Sequence, residues 1–290
     1  CLPCKGDAFS TFLSRQDGQA NCKKVVDKLP RCVKCRRWGL FLKLGANGLC
    51  TKCLEEESAK KLQSIPRVEI IISEEEVKSR ALYELEGLKF SSITPRGKYP
   101  EFVVLDVETT GLRASRDKIV ELAAVRFAGG EPAEMFWTLV NPKVPIPEDA
   151  SAVNGITDEM VKDSPTIKQI IRSFDAFLGG SDLVAHNLRF DLGFIHKAGS
   201  CLIDKKRRYF CTLEQSQKLL KKPKKRWNME EECWEEDWNS DFDVEDHRLE
   251  TLCDYFGIFN PDKHRAYADA YCTGLLFREL VKMKQSSASI

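Results

Sequence analysis

The sequence predicts a mixed α/β protein, in which a sheet flanked by helices follows a small cysteine-rich module. Three strand-like segments in succession precede segments that alternate between helical and strand patterns, an order typical of mixed α/β sheets. Seven of the 12 cysteines lie within the first 53 residues. Hydrophobic residues make up 42% of the 290 residues and charged residues 31%, which predicts a globular protein with a packed core.

Three parts are expected along the chain. They are a cysteine-rich zinc-binding module at residues 1–60, a connecting segment at 61–98, and the α/β domain at 99–285, with a charged insertion at about 221–246. Residues 1–60 contain 12 Lys and Arg against 6 Asp and Glu, whereas the remainder contains 33 against 38. A basic module suits contact with a polyanion and equally suits a solvated surface, so charge leaves both interpretations open.

Membrane insertion and export are not predicted. No apolar run reaches the roughly 18 residues of a transmembrane helix, and no signal-peptide core is present. The paired cysteines indicate metal ligands in a reducing compartment rather than disulfides. We therefore expect a cytoplasmic protein without a membrane partner.

The cysteine pairs in "RCVKCRRWGLFLKLGANGLCTKC" predict a zinc site. Cys32 and Cys35 are followed, after 14 intervening residues, by Cys50 and Cys53. Two such pairs can supply four thiolates to one structural, tetrahedral Zn²⁺, as in zinc ribbons; the alternative is a redox or disulfide pair. Alternating apolar residues between the pairs predict a short strand: Trp38, Leu40, Leu42 and Leu44.

Three more thiols precede this site. Cys1, Cys4 and Cys22 form an incomplete ligand set for a second zinc ion. The role of the module stays open among three alternatives. Its basic residues suit a grip on nucleic acid, its apolar residues Trp38, Leu40 and Phe41 suit a protein partner, and the simplest role is a clip that stabilises local structure.

Two charged helices are predicted in and just before the connecting segment, one at 55–66 and one over Glu74–Gly87. The domain then begins with strands at 102–107, 118–129 and 133–140, and Gly129–Gly130 predicts a hairpin turn between the last two.

A helix is predicted next, over residues 164–179. Ser164 can cap it, Pro165 suits its first turn and Gly179 ends it. The remaining elements are a strand at 182–186 and helices at 189–199, 248–258 and 266–283.

One stretch breaks this alternation. Residues 218–226 carry six basic residues, and residues 230–246 carry ten acidic residues among Trp234, Trp238 and Phe242. The composition predicts a mobile, solvated insertion. Its basic half also suits the rim of a nucleic-acid groove.

Two acids end the first predicted strand. Asp106 and Glu108 are two residues apart, so their side chains project from the same face of that strand. Adjacent carboxylates repel each other unless a cation lies between them, and Mg²⁺ prefers carboxylate oxygens. The pair therefore predicts a divalent metal site at the strand's C-terminal end.

Two further acids and a histidine occupy comparable positions. Asp191 opens the helix that follows the fourth strand, and Asp269 lies in the last helix among apolar residues. His264 precedes Asp269 by five residues, at the start of that helix. Taken singly, each acid could be a helix cap or a surface residue, and a lone histidine is more often structural than catalytic.

Three motifs together resemble a known family. "LDVETTG" (105–111), "AHNLRFDLGFI" (185–195) and "HRAYADA" (264–270) resemble, in order and spacing, the exonuclease motifs of the DEDDh 3′–5′ exonuclease superfamily. The sequence is similar above all to the exonuclease domain of the proofreading epsilon subunit of DNA polymerase III. The resemblance covers about residues 99–285 and leaves the cysteine-rich module outside.

This resemblance implies an RNase H-like fold and a metal-dependent reaction. Asp106, Glu108, Asp191 and Asp269 would bind two Mg²⁺ or Mn²⁺ ions, and His264 would be the general base. The enzyme would hydrolyse phosphodiester bonds at a 3′ end and release nucleoside monophosphates. The implied substrate contacts are Thr109, Thr110, Gly111, Leu112 and Phe190.

One departure from the family pattern concerns specificity. Many relatives carry His where this chain carries Asn154, so a contact of the substrate loop is expected to differ. The implied partner is a nucleic acid 3′ end, with DNA favoured over RNA, and a polymerase or repair protein is a candidate partner. The alternative function is a non-catalytic nucleic-acid-binding or scaffold protein on the same fold.

Overall fold

The computed structural model describes residues 30–37, 43–44, 48–73, 77–201, 207–229 and 231–287. The chain forms two compact units, Cys1–Glu57 and Ser58–Ile290. The second-zinc prediction on Cys1, Cys4 and Cys22 lies outside the described residues. So does most of the strand predicted between Trp38 and Leu44.

The regular elements follow the predicted alternation of strands and helices. The strands are β1 (Glu101–Thr109), β2 (Ile119–Ala128), β3 (Glu131–Leu139), β4 (Asp182–Ala185), β5 (Tyr209–Cys211), β6 (Lys224–Asn228) and β7 (Cys233–Asp237). The helices are α1 (Thr51–Ser64), α2 (Glu148–Asn154), α3 (Asp158–Val161), α4 (Ile167–Leu178), α5 (Leu188–Lys197), α6 (Thr212–Leu219), α7 (Leu249–Phe256) and α8 (Ala266–Ser286). None of these helices in the described part of the chain has the length and apolar character needed to cross a bilayer.

The main sheet has five strands in the order β3-β2-β1-β4-β5. The first three strands run antiparallel, and β4 and β5 run parallel to β1. Gly129 and Gly130 both adopt positive φ, at 60° and 83°, in the tight turn between β2 and β3. The predicted mixed α/β fold is confirmed.

The alternation of side chains along β1 determines where the acids lie. Val103, Leu105 and Val107 belong to the core on the side of α4 and α5, whereas Phe102 and Val104 belong to the core on the side of α8. Because side chains two residues apart share a face, Asp106 and Glu108 project on the α8 side.

Helix α8 approaches β2 closely at Gly274. A Cβ atom at this position would lie 2.1 Å from Cε2 of Phe127, so only glycine permits the observed packing. Phe127 is fully buried and stacks on Phe102, with ring centroids 5.0 Å apart. This contact fixes the depth at which α8 lies on the sheet.

The N-terminal cap of α4 differs from the prediction. Thr166, not Ser164, is the capping residue, and its backbone N–H donates to Gln169 Oε1 at 2.8 Å. Ser164 instead belongs to the turn after α3, where its N–H donates to the carbonyl of Val161. The capping box of Thr166 and Gln169 satisfies the free N–H groups at the helix start better than Ser164, which precedes Pro165, could do.

The predicted helix over Glu74–Gly87 is wrong for its described part. Only Leu82–Leu85 form a short 3₁₀ helix, and residues 77–81 are irregular. Val77 and Leu85 pack into the core, and the carbonyl of Ala81 contacts His196 Nε2 at 3.2 Å. These tertiary contacts outweigh the weak helical propensity of a charged stretch.

The predicted connecting segment packs against the domain. Met135 on the β3 edge exchanges backbone hydrogen bonds with Pro66 and Val68, at 2.8 and 2.9 Å. Ile93 is buried, and its N–H donates to Gln215 Oε1 at 3.0 Å. These residues therefore belong to the second compact unit.

The insertion is a two-stranded hairpin rather than a mobile segment. β6 pairs with β7, and Trp227 lies opposite Trp234 with ring centroids 5.5 Å apart. Arg226 Nε donates to Glu235 Oε1 at 2.7 Å. Cross-strand pairs of aromatic and oppositely charged residues stabilise a ladder that overall composition does not reveal.

Candidate active site

Three carboxylates meet at the C-terminal end of β1. Oxygen atoms of Asp106, Glu108 and Asp269 all lie within 4.8 Å of one another. β1 supplies the first two, and the first turn of α8 supplies the third. Asp191, in the first turn of α5, lies beside this group, and its Oδ1 accepts the N–H of Val107 at 3.2 Å. The structure thus brings all four predicted acids to one place.

Burial and mutual repulsion disfavour the charged forms of these acids. Burial, followed by the charges of Asp191 and Asp269, raises the pKa of Asp106 well above its usual range. Burial and the charge of Asp269 raise the pKa of Glu108 to about 9. Burial also raises the pKa of Asp191 well above its usual range. With a pKa of about 9, Glu108 keeps its proton at neutral pH without a cation, and a bound divalent cation would release it.

The pKa of Asp269 is raised less than that of Glu108. Burial raises its pKa to about 6, while a hydrogen bond from Asn260 and the charge of His264 act in the opposite direction. Asn260 Nδ2 donates to Asp269 Oδ1. These contacts show that His264 and Asp269 lie side by side.

His264 lies directly before α8 in a left-handed backbone conformation, with φ of 59°. This region is uncommon for residues other than glycine and costs of order 1 kcal/mol. His264 and Asp269 both line a cavity of about 110 Å³ between α7 and the start of α8. His264 thus lies next to one member of the acid cluster, Asp269.

The predicted substrate contacts lie at the end of β1, in the turn that follows it and in the first turn of α5. Leu112 is 83% exposed, and Phe190 packs on Phe194 with ring centroids 4.9 Å apart. Thr109 Oγ1 donates to the carbonyl of Gly111 at 2.6 Å, and the Thr110 N–H donates to the carbonyl of Lys118 at 2.8 Å. The Thr110 N–H is thus already used within the protein.

Asn154 contacts the acid cluster itself. It is buried, its Oδ1 accepts the N–H of Ile156 at 3.0 Å, and its Nδ2 lies 3.5 Å from the carbonyl of Thr109. A side-chain hydrogen bond from Asn154 lowers the pKa of Glu108 against the effect of burial. The position singled out as a departure from the family pattern therefore adjoins a candidate metal ligand.

Glu121 is a site residue that sequence reasoning missed. It is fully buried on β2, directly opposite Glu108 in the β1–β2 register. Its carboxylate accepts hydrogen bonds from Arg265, Ala266 and Trp137. The available signal was the single acid in the strand "IVELAAVRFA", within a run that is apolar up to Arg126.

The four cysteines of the predicted zinc site also converge. The Sγ atoms of Cys32, Cys35, Cys50 and Cys53 all lie within 4.8 Å of one another. The Cys35 and Cys50 sulfurs are 3.6 Å apart, and the Cys50 N–H points to the Cys32 sulfur at 3.3 Å. All nine cysteines in the described part of the chain are free, so no disulfide competes for these thiols there.

A family model for Exonuclease (RNase_T) matches residues 103–277, which include the four acids and His264. The chain belongs to the exonuclease family. The predicted resemblance to 3′–5′ exonucleases is thereby confirmed. The match excludes the cysteine-rich module, as the motif positions do.

Curated relatives of this exonuclease domain are much longer proteins. The DNA polymerase III PolC-type protein of Halalkalibacterium halodurans is 39% identical over 186 residues, which are 63% of this chain and 11% of that protein. The corresponding Bacillus subtilis protein is 36% identical over 184 residues, which are 62% of this chain and 11% of that protein. The chain therefore spans about a ninth of the length of these relatives.

Solved exonuclease structures are similar to about two thirds of the chain. Exonuclease X in complex with 5′-overhanging duplex DNA is 26% identical, with a TM-score of 0.45 over 64% of this chain and 93% of that chain. A moderately thermophilic Exonuclease I from Methylocaldum szegediense is 20% identical, with a TM-score of 0.48 over 64% of this chain and 41% of that chain.

Proposed function

We propose that this chain removes nucleotides from the 3′ end of nucleic acid by metal-dependent hydrolysis of the terminal phosphodiester bond. The observation that carries this proposal is the cluster of Asp106, Glu108 and Asp269, with Asp191 beside it. Four acids in one buried place are destabilising unless a cation joins them. Membership of the exonuclease family supports the proposal that such a cation serves in nucleic acid hydrolysis.

The donor set fits two Mg²⁺ or Mn²⁺ ions. Both ions prefer oxygen ligands, and the four carboxylates supply enough oxygens for two such ions together with substrate and water. Two divalent cations at such a site stabilise the attacking and the leaving oxygen of an in-line displacement. Asp106, Glu108, Asp191 and Asp269 are the residues that would hold them.

His264 is the proposed general base. A neutral imidazole can accept a proton from the attacking water. The position of His264 beside Asp269, in the wall of the same cavity, supports this role. The carboxylate of Asp269 would also stabilise the imidazolium that forms when the proton is taken.

The terminal nucleotide is proposed to lie between β1 and α5. The exposed Leu112 would press on the base, and Phe190 would pack near the sugar. Thr109, Thr110 and Gly111 form the turn that would meet the terminal residue, mainly through groups other than the Thr110 N–H.

DNA is the proposed substrate, and a replicative or repair polymerase is the proposed partner. Both proposals rest on relatives that are DNA polymerase III proteins and that share 36–39% identity with this domain. Because the chain spans only about a ninth of the length of those proteins, it would supply the exonuclease step of a larger replication or repair process.

The cysteine-rich unit is proposed to hold one structural Zn²⁺. Four thiols gathered within 4.8 Å match the ligand number of a closed tetrahedral site. The N–H of Cys50 directed at the Cys32 sulfur is the kind of hydrogen bond that stabilises a zinc-bound thiolate. The site lies outside the region matched by the exonuclease family, which favours a structural or docking role over a catalytic one.

The experiment that tests the proposed function follows a 5′-labelled oligonucleotide in Mg²⁺ or Mn²⁺. We expect stepwise shortening from the 3′ end, release of nucleoside 5′-monophosphates, and protection by a blocked 3′ terminus. DNA should be degraded faster than RNA of the same sequence. Binding without shortening would instead support the alternative of a non-catalytic nucleic-acid-binding protein.

A further inference from the structure

Glu121 is a fifth carboxylate at the acid cluster, and it lies apart from the three that converge. It is fully buried and lies opposite Glu108 across the β1–β2 ladder. Its charge raises the pKa of Asp106, Glu108 and Asp269, so it is electrostatically part of the cluster. Yet only the oxygens of Asp106, Glu108 and Asp269 converge within 4.8 Å, so Glu121, like Asp191, lies outside that closest group.

Arg265 accounts for this separation. Its Nη2 donates to Glu121 Oε1 at 2.7 Å, and its Nε contacts both carboxylate oxygens at 3.2 Å. Trp137 Nε1 donates to the same Oε1 at 2.7 Å. A buried carboxylate with this many donors has no lone pairs left to turn toward a metal ion.

The same carboxylate caps helix α8. The N-cap residue Arg265 makes no side-chain capping hydrogen bond of its own. The buried N–H of Ala266 donates instead to Glu121 Oε2 at 2.8 Å. Glu121, which lies on β2, thus takes the place of a capping side chain within the helix itself. Its negative charge suits the positive end of the helix.

These bonds hold the residues that directly follow His264. The left-handed backbone at His264 is strained, and such strain persists only where the surrounding structure fixes it. Glu121 accepts three hydrogen bonds, two from Arg265 and one from Ala266. These bonds fix the two residues that directly follow His264, and so constrain its backbone.

We propose that Glu121 and Arg265 form a positioning pair that fixes His264 beside the acid cluster and keeps a fifth carboxylate out of the metal site. The catalytic part of this inference rests on the proposed exonuclease function. The geometric part, that the pair sets the position of the His264 ring, does not.

Nuclear magnetic resonance of the metal-free protein tests the geometric part without activity. The chain has four histidines, so the His264 Cε1–H signal can be assigned as the one lost in His264→Ala. We expect this signal to move in Arg265→Lys and Glu121→Gln. The matched control is Arg126→Lys, which alters another partly buried Arg–Glu pair on β2, with Glu134 at 3.2 Å. An unmoved His264 signal in both test variants would overturn the proposal.

Kinetics on a 3′-terminated DNA substrate tests the catalytic part. We expect Arg265→Lys to lower kcat about 10- to 100-fold, the cost of a small misplacement, with KM within about threefold. In a His264→Ala background the same substitution should lower kcat by less than about twofold, because residues that act as a unit are not additive. Equal losses in both backgrounds would show that the pair does not act through His264.

The two proposals fail in different ways. If wild-type protein releases no nucleotide, the exonuclease proposal fails while the His264 signal still decides the positioning pair. If activity is present but Arg265→Lys matches Arg126→Lys in kcat and in the His264 signal, only the positioning pair fails.

Discussion

Glu108 on β1 and Glu121 on β2 face each other in the same register pair, but only Glu108 joins the acid cluster. Arg265, Ala266 and Trp137 donate to Glu121, whereas Asn154 is the one hydrogen-bonding contribution that lowers the pKa of Glu108. Glu108 and Glu121 are thus chemically identical residues at paired positions of the sheet, and the hydrogen-bond donors around each one give them different roles. Glu108, the carboxylate with fewer donors, is the one that lies among the candidate metal ligands.

The metal-free protein should lose stability as pH rises, because Glu108 has a raised pKa in the folded state. The unfolded chain releases this proton near pH 4.5 and the folded chain near pH 9, so between these values the folded state binds more protons. Rising pH therefore lowers the free energy of unfolding, by up to about 1.4 kcal/mol per pH unit for one proton. Urea unfolding in EDTA at pH 6.5 and 8 measures this change.

Glu108→Gln is the control for this pH dependence. It should be more stable than wild type at pH 8 without metal and show a flatter pH dependence. Mg²⁺ or Mn²⁺ at about 100 times its Kd should stabilise wild type by about 2.7 kcal/mol and the variant much less. Equal pH dependence in the two proteins would contradict the assignment of uncompensated charge to Glu108.

Asn154→Ala should weaken metal binding. The substitution removes the side-chain hydrogen bond that lowers the pKa of Glu108, so the carboxyl group keeps its proton more strongly and binds a cation less well. A hydrogen bond to a charged group contributes about 1.5–3 kcal/mol, which predicts a Mn²⁺ affinity roughly tenfold lower or more. Isothermal titration calorimetry measures it, with the exposed Asn141→Ala as control.

Cys50→Ser should remove the zinc ion and leave the nuclease site intact. Loss of one of four thiolates breaks the closed ligand set, so the zinc content by elemental analysis should fall from about one per chain to near zero. Cys201→Ser, which alters an exposed thiol, should keep the zinc. A zinc-free wild-type protein purified without chelators would contradict the zinc proposal.

Gly274→Ala should destabilise the domain through a steric clash. The added Cβ would lie 2.1 Å from Cε2 of the buried Phe127, and overpacking of this kind costs about 1–3 kcal/mol. The free energy of unfolding in urea measures the loss. Gly180→Ala is the matched control, because nothing lies within 4 Å of its added Cβ. Partial recovery in Gly274→Ala combined with Phe127→Leu would assign the loss to this contact.

The sequence was most informative where one strand or helix determines the geometry. The spacing of Asp106 and Glu108 placed them on one face of β1, and the structure confirms that they converge. Asp191 and Asp269 each lie in the first turn of a helix, as the motif positions indicated. Their approach to the cluster depended on the family resemblance, since each acid alone is compatible with a helix cap.

The features that sequence reasoning missed depend on contacts between distant segments. Glu121 and Arg265 are 144 residues apart, and no local pattern relates them. Glu121 looked like one polar residue in a buried strand, and only its donors reveal its role. The 221–246 insertion was misjudged for a similar reason, because composition gives no account of the cross-strand pairing of Trp227 with Trp234.

The most direct test of the account is nucleotide release from the 3′ end of single-stranded DNA in Mg²⁺, measured for wild type and Asp106→Asn by mass spectrometry of the products. Asp106→Asn keeps the size of the side chain and removes one charge from the cluster. We predict that wild type releases nucleoside 5′-monophosphates and that the variant is slower by about 10³-fold or more while remaining folded. Equal rates for the two proteins, or no release by wild type in either Mg²⁺ or Mn²⁺, would contradict the account.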